Sequence, residues 1–163
     1  MLESLNGEIA RAARGCPWMR VAVGELGQRE RPGKRRNNPR IMSYLRVVGM
    51  DRWDETPWCS AFANWCMARA GIGGTGRATA RSWLGWGRPL DLAHPRFGCV
   101  VVLRRTSNPS RGHMGFWVGA RAGQVLLLGG NQDDTVCVKG YPLSRVLGLR
   151  WPVQPPLEHA PWG

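Results

Sequence analysis

The chain has 163 residues, 43% of them hydrophobic and 21% charged, and a net charge of +12. That balance suits one globular domain able to bury about two-thirds of its unfolded surface, and it excludes a disordered chain. No run approaches the roughly 20 apolar residues of a membrane helix; the excess cation, nearly all arginine, favours acidic partners such as nucleic acid, anionic lipid, lipopolysaccharide or wall polymers.

The opening MLESLNGEIARAARG mixes acids and arginines without an apolar stretch. It reads as a helical extension over 1–16 and as neither a secretory signal nor an anchor. The expectation is a protein made in the cytoplasm that needs another route to anything outside it. Three helices follow, each opened by proline and closed by glycine. The first spans 17–26, with Met19, Val23 and Leu26 on one stripe. The second is capped by Asn38, starts at Pro39 and turns Ile41, Leu45 and Val48 inward. The third, capped by Thr56, runs from Pro57 to about Ala70. Between the first two lies RERPGKRRNNPR, with six basic residues and one acid. It reads as an exposed loop, either solubilising or a docking surface. A shorter helix is expected over 77–86.

After residue 97 the pattern changes to short β-rich runs: 98–105, 113–120, 124–131, 135–141 and 146–151. Their spacing predicts a meander of about five antiparallel strands. Helices first and strands second make an α+β domain over 17–152. The proline-rich tail at 153–163 reads as a loosely attached strap.

Five cysteines without a CxxC, and three scattered histidines, argue against a disulfide framework and against zinc. Most of these thiols should be core residues. Cys59 stands apart in DETPWCSAFANWC. With Thr56 as cap it falls at the third helical position, where the helix dipole favours a thiolate. It is either a small core residue or a nucleophile. A thiolate nucleophile needs a base and an orienter. His113 opens a strand, sharing a face with Gly115, Trp117 and Gly119, while Met114, Phe116 and Val118 form the core face. The glycines leave room for a substrate or helix to approach the ring. If 113–120 and 124–131 form a hairpin, Asn131 returns beside His113 and can fix its tautomer. Singly, His113 also reads as a strand-edge residue and Asn131 as a turn residue.

Together the segments PWCSAF, NWC, GHMGFWVG and LLLGGNQ resemble the CHAP group (cysteine, histidine-dependent amidohydrolases/peptidases) of the NlpC-type, papain-like wall-degrading enzymes. The resemblance spans about residues 17–152. It implies a papain-like fold with N-terminal helices packed on the sheet, and a peptidoglycan hydrolase similar to small single-domain phage and prophage endolysins. Cys59 would be the nucleophile, His113 the general base and Asn131 the orienter, with no cofactor. The enzyme would be a monomer released through a holin or carried on a virion, drawn to anionic wall or outer-membrane polymers by its charge. Trp58, Asp54, Glu55, Trp83 and Gln132 would contact substrate, with Trp86 as a further cleft wall. Two departures stand out. Gly129 occupies a position where several relatives carry glutamate, and the basic loop at 29–40 predicts no calcium site. Amidase and endopeptidase remain open. A nucleic-acid-binding module is the alternative that the charge suggests, although 29–40 has no interleaved aromatics. A catalytically idle papain-like scaffold is the other.

Overall fold

A computed structural model of the chain describes residues 2–33, 37–51, 57–108 and 110–153. Four α-helices come first: α1 (Leu2–Ala12), α2 (Pro17–Gly24), α3 (Pro39–Val47) and α4 (Cys59–Arg69). Six strands follow: β1 (Arg88–Leu90), β2 (Val100–Arg104), β3 (Gly112–Arg121), β4 (Gln124–Gln132), β5 (Thr135–Pro142) and β6 (Val146–Trp151). The α+β expectation holds, and the punctuation of α3 is as read: Asn38 accepts from the Arg40 amide at 2.9 Å, with Pro39 behind it. The expected helix over 77–86 is a 3₁₀ segment, Ala80–Gly85. Among the described residues no helix is long and apolar enough to cross a membrane.

The sheet runs β1-β6-β2-β3-β4-β5, every neighbour antiparallel. Two features differ from a five-strand meander. The sixth strand, β1, is three residues with proline at its centre, tolerated because it lies at the sheet edge. The last strand, β6, returns to β2, placing Val101 opposite Leu149, and does not extend the meander beyond β5. The free side of β5 is already occupied: the Gly27 amide donates to Val136 O at 2.9 Å and the Val136 amide to Gln28 O at 2.8 Å. That pairing covers an edge that would otherwise expose a row of unmatched backbone groups.

Both sheet faces are apolar, which is why β2 reads VVVL and does not alternate with polar residues. Val100, Val102, Met114, Phe116 and Leu128 face the helices and join the main core with Phe62 and Cys66; Ile9 of α1 is buried there too. Val101, Leu103, Trp117, Val125 and Leu127 form a second cluster on the opposite face. Helix α4 is buried from Cys59 through Met67, held between α2, α3 and the sheet. A helix buried on every side needs close neighbours. Gly130 of β4 allows this, since a Cβ there would lie 2.7 Å from both Phe62 Cβ and Trp58 Cζ3. Gly130→Ala is therefore expected to push the start of α4 off the sheet and cost about 1–3 kcal/mol. Gly24→Ala, whose Cβ meets nothing within 4 Å, serves as the neutral comparison. Urea midpoints check both, and equal midpoints would show that α4 does not depend on this close approach.

Candidate active site

Helix α4 starts at Cys59 with Trp58 as N-cap and no side-chain cap. The predicted cap, Thr56, lies outside the described residues, as do Asp54 and Glu55. Cys59 is thus the first helical residue and not the third, so it sits among the first-turn amides that have no intrahelical acceptor. Amides of Met114, of Ser60 and of Cys59 itself point at its sulfur, and the Arg105 charge lies nearby. These favour a thiolate, but burial is the larger effect: Cys59 is 5% exposed and its thiol is raised above 9.0. Burial thus works against the thiolate expected from the helix terminus and is the larger of the two effects. Cys66, two turns deeper, is fully buried and its thiol is raised well above 9.0 by the same cause.

The Met114 amide on the Cys59 sulfur places the nucleophile candidate against β3 beside His113. His113 begins the buried part of β3, paired in register with Leu103, with the Tyr141 ring centroid 5.3 Å away. Its Nε2 lies 3.0 Å from Gln132 Oε1. The Gln132 amide nitrogen donates to Leu127 O at 3.1 Å and to Cys137 O at 2.7 Å. Those two carbonyls fix the amide's orientation, so Oε1 accepts from Nε2–H and Nδ1 is left as the unprotonated acceptor. Burial pushes the imidazole down to about 4; the Gln132 bond opposes this, while Arg105, Arg145 and Lys139 reinforce it. Burial therefore favours the neutral form of both the thiol and the imidazole.

The residue that the β3–β4 hairpin brings onto the His113 ring is thus Gln132 and not Asn131 as expected. The reason is a bulge between Gly129 and Gln132, in which Asn131 takes φ 56° and passes the inward position to its neighbour. Asn131 lines the cavity beside His113, but its side chain makes no hydrogen bond among the described residues. Gly129 completes the arrangement: a Cβ there would sit 2.9 Å from Gln132 Oε1. The absence of a glutamate at that position leaves the space that the Gln132 side chain fills. The run GGNQDD, rich in residues that tolerate left-handed backbone, was the available signal for a bulge.

Trp58 and Trp83, expected to touch substrate, are structural. Trp58 is fully buried, donating to Glu30 Oε1 at 2.7 Å, and Trp83 is fully buried, donating to Ser60 Oγ at 2.8 Å. Neither is a cleft wall, because each indole N–H finds a protein acceptor and the ring packs in the core. Trp86 donates to Gly73 O and borders a separate cavity with Pro152. The room expected beside the glycines is taken up by protein: Gly112 faces Arg81 and Ala80, and Gly115 faces Leu127.

Two cavities open at the site. One of about 440 Å³ is lined by Met50, Pro57, Cys59, Ala80 and Arg105. The other, of about 260 Å³, is lined by His113, Asn131, Gln132, Tyr141 and again Arg105. Among the described residues no group of three or more His, Cys, Asp or Glu side chains comes together.

The buried imidazole makes stability depend on pH. Its folded pKa of about 4 lies below the ordinary 6.5, so between these values the unfolded chain holds a proton that the folded chain lacks. Stability rises with pH across that window. The contribution is complete above about pH 6.5 and lost as pH falls toward 4, a change of roughly 3 kcal/mol. Unfolding free energies of wild type and His113→Asn, measured from pH 4 to 7.5, should diverge by this amount; parallel curves would contradict it.

Residues 51–131 match the CHAP domain family model. Solved structures also match, among them NlpC1 from Trichomonas vaginalis, with a TM-score of 0.50 and 23% identity over 80% of this chain. The chain spans 41% of that structure's length, and the likeness is one of fold. No curated protein matches the sequence. The family match contains Cys59 and His113 and stops one residue before Gln132. With its helices packed on an antiparallel sheet, the chain has an α+β fold of the papain-like, CHAP/NlpC type, and residues 51–131 carry the CHAP domain match.

Proposed function

We propose that the protein is a peptidoglycan hydrolase that cleaves an amide bond of the wall peptide through a thioester on Cys59. The observation that carries this reading is Cys59 at the start of α4, open to a cavity and with its sulfur against the Met114 amide, next in the chain to His113, whose imidazole is held by Gln132. The thiol gives its proton to His113 Nδ1 as sulfur attacks the carbonyl carbon. The tetrahedral oxyanion faces first-turn amides of α4, which lack intrahelical acceptors. His113 then protonates the leaving amine as the C–N bond breaks. Water, deprotonated by His113, hydrolyses the thioester and returns the thiol. Because burial favours the neutral form of both groups, the step needs no pre-formed ion pair, only proton transfer concerted with attack. The net charge of +12 supplies attraction to an anionic wall.

Digestion of purified peptidoglycan by wild type and Cys59→Ala, with mass spectrometry of released fragments, tests the reading. Fragments from wild type alone support it, and their masses name the bond. Stems freed from muramic acid mean amidase; split stems or cross-links mean endopeptidase. Walls of several chemotypes left intact by wild type would overturn it. Retention of random DNA at physiological salt, with no wall activity, would favour the nucleic-acid reading instead.

A further inference from the structure

The cavity over Cys59 and the cavity over His113 share one charged side chain, Arg105. It directly follows β2, and its amide donates to Arg111 O at 3.3 Å, so its backbone is held in the β2–β3 hairpin. The side chain is half-buried. Its neighbours are engaged: Lys139 with Asp133 at 2.8 Å, and Arg145 Nε with Arg104 O at 2.9 Å. The Arg105 guanidinium makes no hydrogen bond or ion pair with any described residue. Its charge nevertheless reaches both Cys59 and His113. A partly desolvated guanidinium without a counter-charge is costly unless something supplies one.

Among the described residues the surroundings do not supply one. Arg81 and Arg111 line the first cavity, and Lys139 and Arg145 the second. The one acid among the described lining residues, Asp133, is neutralised by Lys139. A planar guanidinium pairs best with a carboxylate held by two parallel hydrogen bonds. Wall peptides contain residues linked through a side-chain carboxyl, whose α-carboxyl is either free or converted to a carboxamide. Resting on the hydrolase reading above, we infer that Arg105 binds a free carboxylate on the substrate residue flanking the scissile amide, making the site selective for non-amidated stems. Arg105 is then a specificity-determining residue, placed where the cavity over Cys59 and the cavity over His113 adjoin.

The test uses two synthetic stem peptides that differ only in a carboxylate or carboxamide at the residue flanking the cleaved bond. Wild type should favour the carboxylate by roughly 10- to 100-fold in kcat/KM, mostly through KM, the size of one charged hydrogen-bonded contact. Arg105→Gln should hydrolyse the two within about threefold of each other, having lost affinity only for the carboxylate. Equal rates on both peptides with wild type would overturn the inference. So would an Arg105→Gln variant slowed equally on both, which would assign Arg105 to the oxyanion. Calorimetric binding to Cys59→Ala, with and without Arg105→Gln, separates this from the hydrolase reading. Carboxylate preference in binding that vanishes with Arg105→Gln, without turnover by wild type, would uphold the site and overturn the hydrolase. Turnover without preference would do the reverse. Neither binding nor turnover would overturn both.

Discussion

Cys59→Ala is expected to lower turnover of a defined stem peptide by about 10⁴-fold or more while leaving the protein folded. The chemistry has no substitute thiol. Cys66 points into the core two turns away, and Cys16 and Cys99 are buried elsewhere. Cys137, the least buried of the five, lies behind Gln132, its sulfur 3.3 Å from Gln132 O. The structural cost is small, because alanine removes one buried sulfur at the edge of the core and suits the first turn of α4; about 1 kcal/mol is expected. The thiol's raised pKa adds a second readout. Alkylation of Cys59 by a neutral reagent should climb with pH beyond 9, without the plateau at neutral pH that a thiolate–imidazolium pair would give. Turnover assays, urea unfolding and alkylation rates check the three parts. A variant that keeps more than a few per cent of wild-type activity would remove Cys59 from the mechanism.

Gln132→Leu carries the second large effect. It removes the acceptor that fixes the His113 tautomer and strands the carbonyls of Leu127 and Cys137. The expected losses are about 10²–10⁴-fold in kcat, as for a misassigned imidazole tautomer, and about 2–3 kcal/mol of stability from unpaired buried polar groups. The pH profile separates positioning from mere destabilisation. Gln132 favours the protonated ring, so its loss should move the acid limb of kcat to lower pH. Asn131→Gly, which keeps the left-handed backbone, should leave kcat within about fivefold. Collapse of the Asn131 variant with an active Gln132→Leu would return the orienting role to Asn131.

These two residues mark where the sequence stops being legible. Proline at the start of α3, with Asn38 before it, is local chemistry, and it reads correctly. Likewise, the alternation that puts Met114 and Phe116 toward the helices and Trp117 on the other face is set by the strand's own period. What fails depends on partners distant in the chain. Trp58 and Trp83 look like cleft walls until Glu30 and Ser60, 28 and 23 residues away, are seen to accept their indole protons. The Cys59 thiol follows its helix terminus on paper, but the sheet that buries it comes from residues after 99. The hydrogen-bond partner of His113 is displaced by one residue, from Asn131 to Gln132, because a bulge with a left-handed residue shifts the strand's register. The placement of β6 beside β2 follows from the occupied edge of β5, which the strand pattern does not encode.

The most direct measurement is intact-protein mass spectrometry of wild type mixed with a stem-peptide ester or amide and quenched in acid during turnover. A thioester at Cys59 should add the acyl fragment in place of one hydrogen, and digestion should map that mass to the peptide containing Cys59. Product release without any adduct, or an adduct on Cys137, would contradict the assignment of Cys59 as the covalent nucleophile.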